Sequence, residues 1–352
     1  MRASVTHRTI RALTALCIVP LTAFGHHSFM ARFDRTTVEE IEGVVTEVFW
    51  RNPHVYLTVE VTDSVGERVS WELETNTATR LERSGISSDA IQVGYPVKVA
   101  GHPPRTAAME MYATNLLLPS GEELLLNESA EPRWSQRASN DRSFEGQNEG
   151  NASRPELGIF RVWSLPSAAP RLFPGGFVQD FDVYSLPLTA RARAAVDAFD
   201  PLTDSVTADC RPKGMAHIMA QPYPIEFIEQ GEDIILHLEE YDTVRTIRMG
   251  DSFALTDQPA TLLGYSSGRM EGETLVVRTT RVSYPYFNAI GVPLSEAAEI
   301  VERFTPTGDG SRLDYELLVI DPVNFTEPVI RNTYRLYLPG EEVKPYECAV
   351  RN

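Results

Sequence analysis

The segment His54-Val-Tyr-Leu-Thr-Val-Glu-Val61 alternates apolar and polar residues, and segments of this kind recur along most of the chain. A period of two puts successive side chains on opposite faces of a strand, so a chain written this way builds half-buried sheets rather than helices. The first group comprises Val38–Trp50, with its run Gly43-Val-Val-Thr-Glu-Val-Phe-Trp50, then His54–Val61, then Arg68–Glu74. Asn52-Pro53 and the turn Asp63–Gly66 separate them. Thr77–Ser84 reads as a short helix ended by Gly85, and strands resume at Tyr95–Gly101, Glu110–Leu118 and Glu122–Leu126. Three strands, a helix and two or three more strands within about 100 residues is the order of an OB-type small barrel. A plain β-sandwich has the same pattern.

From 128 to 156 the chain turns polar, with few apolar residues and no period, and is expected to be a disordered linker. It separates a small β-barrel domain over 26–127 from a second domain over 157–352. In the second, Thr189 caps a short helix, Thr-Ala-Arg-Ala-Arg-Ala-Ala-Val-Asp-Ala-Phe199, that Pro201 follows. Beyond Pro224 the pattern is almost entirely β. Eight strand-like segments, from Ile225–Gln230 to Val329–Leu338, are joined by Gly-containing turns and predict a meandering antiparallel barrel or strongly curved sheet. The fold class is therefore mainly β. A closed barrel of eight strands can hold one small ligand.

Charge excludes one class of partner. The 352 residues carry a formal charge of −17, a field that repels phosphate backbones and attracts cations, so no nucleic-acid partner is expected. Residues 1–25 run against this trend, with Arg2, Arg8 and Arg11 and no acid. Those arginines, the apolar run Ala12–Val19, Pro20 and the small residues after it have the form of a secretory signal peptide. The apolar run is too short to span a bilayer, and Leu16 before Cys17 does not suit a lipid anchor. The mature protein is thus expected to be periplasmic or secreted and not integral to a membrane. Removing the signal leaves Cys210 and Cys348, for which an oxidising compartment implies a disulfide.

Signal-peptide processing bears on the histidine pair. Ala23 and Gly25 suit cleavage before His26, which would give a chain starting His26-His27. The terminal amine, that imidazole and a further histidine, His54 or next His102, would form a nitrogen set suited to Cu(II). Cleavage after Ala23 would instead put His26 third, which also suits Cu(II) or Ni(II). Copper is the expected cofactor, if there is one. The sequence contains neither HExxH nor CxxC and no glycine-rich phosphate loop, and its Gly264-Tyr-Ser-Ser-Gly268 string, though spaced as G-x-S-x-G, sits in a β context rather than at a strand–helix elbow. In the second domain His237, Glu239 and Tyr241 alternate with Ile234, Leu236 and Leu238, and Arg245 and Arg278 lie in alternating strands. These five polar residues either line a barrel interior around a small ligand or face water. Tyr284-Pro-Tyr-Phe287 is either a lid or core, and His217 has no informative context.

The strings HHSF (26–29), GVVTEVFWRNPHVYLTVEV, WELET, LERSGI and VGYPVKVAGHP resemble DUF6152, a family of exported bacterial proteins of unknown function, over residues 26–127. The second half resembles another uncharacterised exported β-rich set, through DPLTDSVTADCRPKGM, QPYPIEFIEQ, EEYDTVRTI, GRMEGETLVVRTT and the later PYEC. Met270 and Glu273 stand where that set has Trp and Asp. Neither resemblance implies an activity. The expectation is a non-enzymatic exported protein that binds a small molecule or copper. The alternatives are a metal-dependent redox enzyme using the same histidines, or an interaction module of an envelope assembly.

Overall fold

The computed structural model describes residues 32–127, 130–136, 138–139, 153–165, 185–200, 203–204, 210–250 and 258–351. The expected signal peptide, His26 and His27 lie outside the described residues, as does most of the expected linker.

The first unit is a small barrel. Strands β1 (Glu39–Phe49), β2 (Tyr56–Thr62) and β3 (Arg68–Glu74) form an antiparallel meander. Helix α1 (Ala78–Arg83) follows, then β4 (Pro96–His102) and β5 (Glu110–Leu117). β4 pairs with β1, and a parallel β3–β5 pairing closes the ring of five. This is the OB-type connectivity, and it removes the sandwich alternative. Closure needs sharp strand bending, and two glycines permit it. A Cβ at Gly43 would overlap the Glu60 carbonyl, and one at Gly101 the Tyr112 carbonyl. Val45, Leu57, Val59, Leu73, Val99, Met111 and Leu116 fill the interior. Thr77 accepts from the Arg80 N–H at 3.2 Å and so caps α1, whose Ala78 and Leu81 plug one end of the barrel.

The barrel extends past 127. β6 (Glu123–Leu125) pairs with β5, and β7 (Ala138–Ser139) with β6. Between them, buried Glu123 accepts the backbone N–H groups of Arg133, Trp134 and Ser135 at 2.8–2.9 Å. Those donors hold its carboxyl below the usual range despite burial. Residues 130–136, assigned to the linker by their polarity, are therefore fixed on the barrel.

The second unit is a nearly closed barrel of nine strands. β8 (Val162–Trp163), β9 (Ile225–Gln230), β10 (Asp233–Leu238) and β11 (Thr243–Met249) run antiparallel. β12 (Tyr265–Glu271) joins β11 in parallel, which departs from the expected all-antiparallel meander. The 15-residue connection between them, too long for a hairpin, allows that crossover. β13 (Thr274–Thr280), β14 (Glu299–Pro306), β15 (Arg312–Ile320) and β16 (Val329–Leu336) complete the sheet. Ser164 and Leu336 exchange two backbone hydrogen bonds, of 2.9 and 2.7 Å, that draw the first and last strands together. The apolar face of β10 points into the core with Trp163, Phe227, Ile247 and Phe304. Helix α2 (Ala190–Ala198) packs from outside and buries only Ala192. No described helix is long and apolar enough to cross a membrane.

After β16, residues 338–351 return across the first barrel. The Asn52 side chain donates to the Tyr346 carbonyl, the Asn52 carbonyl accepts from Ala349, and Arg351 grips Glu72 at 2.8 Å and Glu47 at 2.6 Å. The expected disulfide joins Cys210 to Cys348, with a Cα separation of 5.9 Å.

Candidate functional site

At the end of β10 the alternation stops being structural. Leu238 is the last strand residue, and Glu240–Asp242 form a single 3-10 turn. Tyr241 and Asp242 have φ of 59° and 48°, left-handed values that cost energy in residues with a Cβ. Glu239 and Tyr241 therefore do not share a strand face with His237, which corrects the reading from periodicity. His237 stays on the outer, half-buried face opposite Val244.

The four residues after Leu238 engage three parts of the molecule: α1, the segment around Lys213 and the C-terminal segment. Glu239, fully buried, accepts a bidentate pair from Arg83 at 2.6 and 2.5 Å, and the Lys344 N–H at 3.0 Å. Arg83 is the last residue of α1, and its Nε also donates to Glu341 at 3.0 Å. This ion pair bolts the first barrel to the second. Asp242 accepts the Tyr346 N–H at 3.1 Å. Between these two lies Glu240, 3 % exposed, whose Oε1 accepts from Lys213 Nζ at 2.5 Å. The Lys213 ammonium also donates to Gln221 Oε1 at 2.9 Å and sits 5.8 Å from the Tyr241 ring.

Around this pair are four tyrosines and one histidine. Tyr241 packs on Tyr346 with centroids 5.0 Å apart, and Tyr346 packs on Tyr223 at 5.4 Å. The hydroxyls of Tyr223 and Tyr346 meet at 3.4 Å, and that of Tyr284 bonds His217 Nδ1 at 3.0 Å. Burial raises the Glu240 carboxyl above its ordinary range, although Lys213 opposes the rise. Burial, with nearby Glu240, raises Tyr241 and Tyr284 too, so these phenols stay neutral. His217 is pushed well below its usual value by burial, then by Lys213. Two polar atoms in this saturated setting, Glu240 Oε2 and the Tyr241 hydroxyl, are buried without a partner among the described residues. Such atoms are costly, and native cores rarely leave them unpaired.

The other expected ligand residues fall elsewhere. Arg245, opposite Leu236, points into the second barrel and is 2 % exposed. Its guanidinium pairs with Glu302 and donates to Ser266 at 2.8 Å and Thr279 at 2.6 Å. Tyr315 donates to the same carboxylate at 2.9 Å, which completes a closed network. Arg278 lies outside, paired with Glu299 at 2.6 Å. Tyr241 alone among the five belongs to the cluster around Glu240. The sequence reading missed Lys213, Glu240, Gln221 and Tyr223. Of these, only the consecutive acids at 239–240 gave a signal, and a solvated turn explained it equally well. The aromatic string splits: Tyr284 and Phe287 are buried, and Tyr286 packs on Phe199 at 5.3 Å.

On the first barrel, His54 Nδ1 lies 2.9 Å from the Thr75 carbonyl and 3.5 Å from Glu74, and His102 Nδ1 lies 2.9 Å from the Thr37 carbonyl. Among the described residues no group of three or more His, Cys, Asp or Glu side chains could hold a metal ion.

These observations define the class: two β-barrels bolted through a buried ion pair, with an unsaturated polar cluster beside the bolt. Residues 15–111 match the family model of DUF6152, a family of unknown function. The match takes in β1 to β4, α1 and the first residues of β5, and so includes His54, Arg83 and His102. No curated protein and no solved structure matches the chain.

Proposed function

We propose that the chain is an exported, non-enzymatic binding protein whose ligand seat lies at the junction of its two barrels. The observation that carries this reading is the pair of buried, partnerless oxygens on Glu240 and Tyr241. They lie in a cluster where the neighbouring polar groups are matched. A fold that spends left-handed backbone at Tyr241 and Asp242 to aim them is reserving their hydrogen bonds for something else. The alternation that ends at β10, the signal-like first 25 residues and the strong negative charge fit an envelope protein that does not meet nucleic acid. Native mass spectrometry of protein recovered from the periplasm or culture medium tests the reading. The expected result is an adduct, present under native conditions, that denaturation removes. A mass equal to the bare polypeptide, with no compound raising its melting temperature, overturns it.

A second reading, a copper site at the processed N-terminus, has its own support. A histidine whose Nδ1–H is held by a backbone carbonyl, as in His54 and His102, is in the arrangement common among metal-ligating imidazoles. Cu(II) titration followed by EPR on processed protein tests it. Equal binding by wild type and by a His26→Ala, His27→Ala variant removes it.

A further inference from the structure

We propose that the seat formed by Glu240 and Tyr241 takes a small uncharged molecule bearing a hydroxyl or a primary amide. The proposal rests on the binding-protein reading above and adds the chemical class. The argument is one of complementarity. Lys213 cancels the Glu240 charge, and two of its three ammonium protons are spent on Glu240 Oε1 and Gln221 Oε1, so an incoming anion meets no uncompensated positive charge. A cation would meet that same ammonium, which already lies over the Tyr241 ring. Bringing any net charge into this buried setting costs more than the two remaining hydrogen bonds return. What is left over among the described residues is one carboxyl oxygen and one phenol, an acceptor and a donor on consecutive residues. A hydroxyl or a primary amide satisfies both at once, giving a hydrogen to Glu240 and accepting one from Tyr241. The rings of Tyr241, Tyr346 and Tyr223, tilted or edge-on to one another, make the surroundings apolar. The seat therefore selects small compounds with one polar end.

Acetamide is a suitable probe, with acetate and methylammonium as charged counterparts of similar size. Ligand-observed NMR on the full, disulfide-bonded protein should detect acetamide with a Kd on the order of 1 mM, typical of a ligand of few atoms, and neither charged counterpart. Tyr241→Phe should weaken acetamide about tenfold, since the phenol contributes one of the two hydrogen bonds. The same variant should keep or raise the melting temperature, because it deletes a buried hydroxyl that has no partner among the described residues. A hydroxyl held by a structural water would give the opposite, a drop in melting temperature with acetamide unchanged, and that overturns the proposal. Equal acetamide binding by both proteins, or none by the wild type, also overturns it. A charged compound copurifying with the protein would overturn the class of ligand and leave the binding-protein reading standing.

Discussion

Two of the carboxylates buried in the second barrel, Glu302 and Glu240, each lie beside a basic side chain and are treated differently. Glu302 accepts from Arg245 and Tyr315, Arg245 donates onward to Ser266 and Thr279, and those two hydroxyls bond each other, so the network is closed. Glu240 has Lys213 on one oxygen and, among the described residues, nothing on the other. A saturated network rigidifies a core and fixes its packing, whereas an unsaturated one pays a desolvation cost that packing alone does not explain. Comparable burial thus yields a structural element in one place and a candidate site in the other.

Breaking the closed network should produce the largest effect. Glu302→Ala leaves the Arg245 guanidinium buried and unpaired and should cost about 3–5 kcal/mol in chemical denaturation. Replacing Arg245 and Glu302 together by leucine and methionine should restore most of that stability, because both charges then disappear. Cys348→Ser is next. It opens a loop spanning 138 residues and frees the segment that carries Tyr346 and Arg351, at about 2–4 kcal/mol.

A pH series sharpens the comparison further. His217 is held neutral in the fold, well below its ordinary value of 6.5. The unfolded chain binds its proton first as pH falls, so the His217 contribution is complete above about 6.5 and is lost on acidification. The slope should approach roughly 1.4 kcal/mol per pH unit about one unit below that point. His217→Gln should flatten it, and an unchanged slope would mean that the histidine is not held neutral. The smallest effect is expected at the open cluster, where Tyr241→Phe should shift stability by no more than ~0.5 kcal/mol.

How much of this could be read from the residues differs along the chain. The strands of both barrels were legible because half-buried strands must alternate, and the order around Thr77–Ser84 pointed to the OB-type ring. The disulfide followed from having two cysteines left after the expected signal. The parallel β11–β12 pairing was not legible, since nothing in either strand records its neighbour's direction. Leu238-Glu-Glu-Tyr-Asp242 misled for a specific reason. Its alternation continues by coincidence after the backbone has turned out of the strand, so Glu239 was assigned to a ligand face when it is the acceptor for Arg83. That partner lies 156 residues away, and sequence spacing carries no trace of it. Glu240 was invisible because an acid at a strand end is ordinarily solvated, and only its burial marks it out.

The row Glu47, Thr58, Glu72 and Glu110 runs across four adjacent strands of the first barrel in direct register. Arg32 holds it from one side and Arg351 from the other. Four nearby carboxylates, Glu74 included, repel one another until both arginines arrive, and one of them is encoded about 280 residues after the strand it grips. A ribosome or an export channel delivers the chain in order, so this barrel can collapse early yet must wait for the second to finish before its own surface charge is settled. Contacts of such long separation slow folding. The two barrels are therefore distinct in architecture but bound to a common assembly schedule, with the first domain completed last.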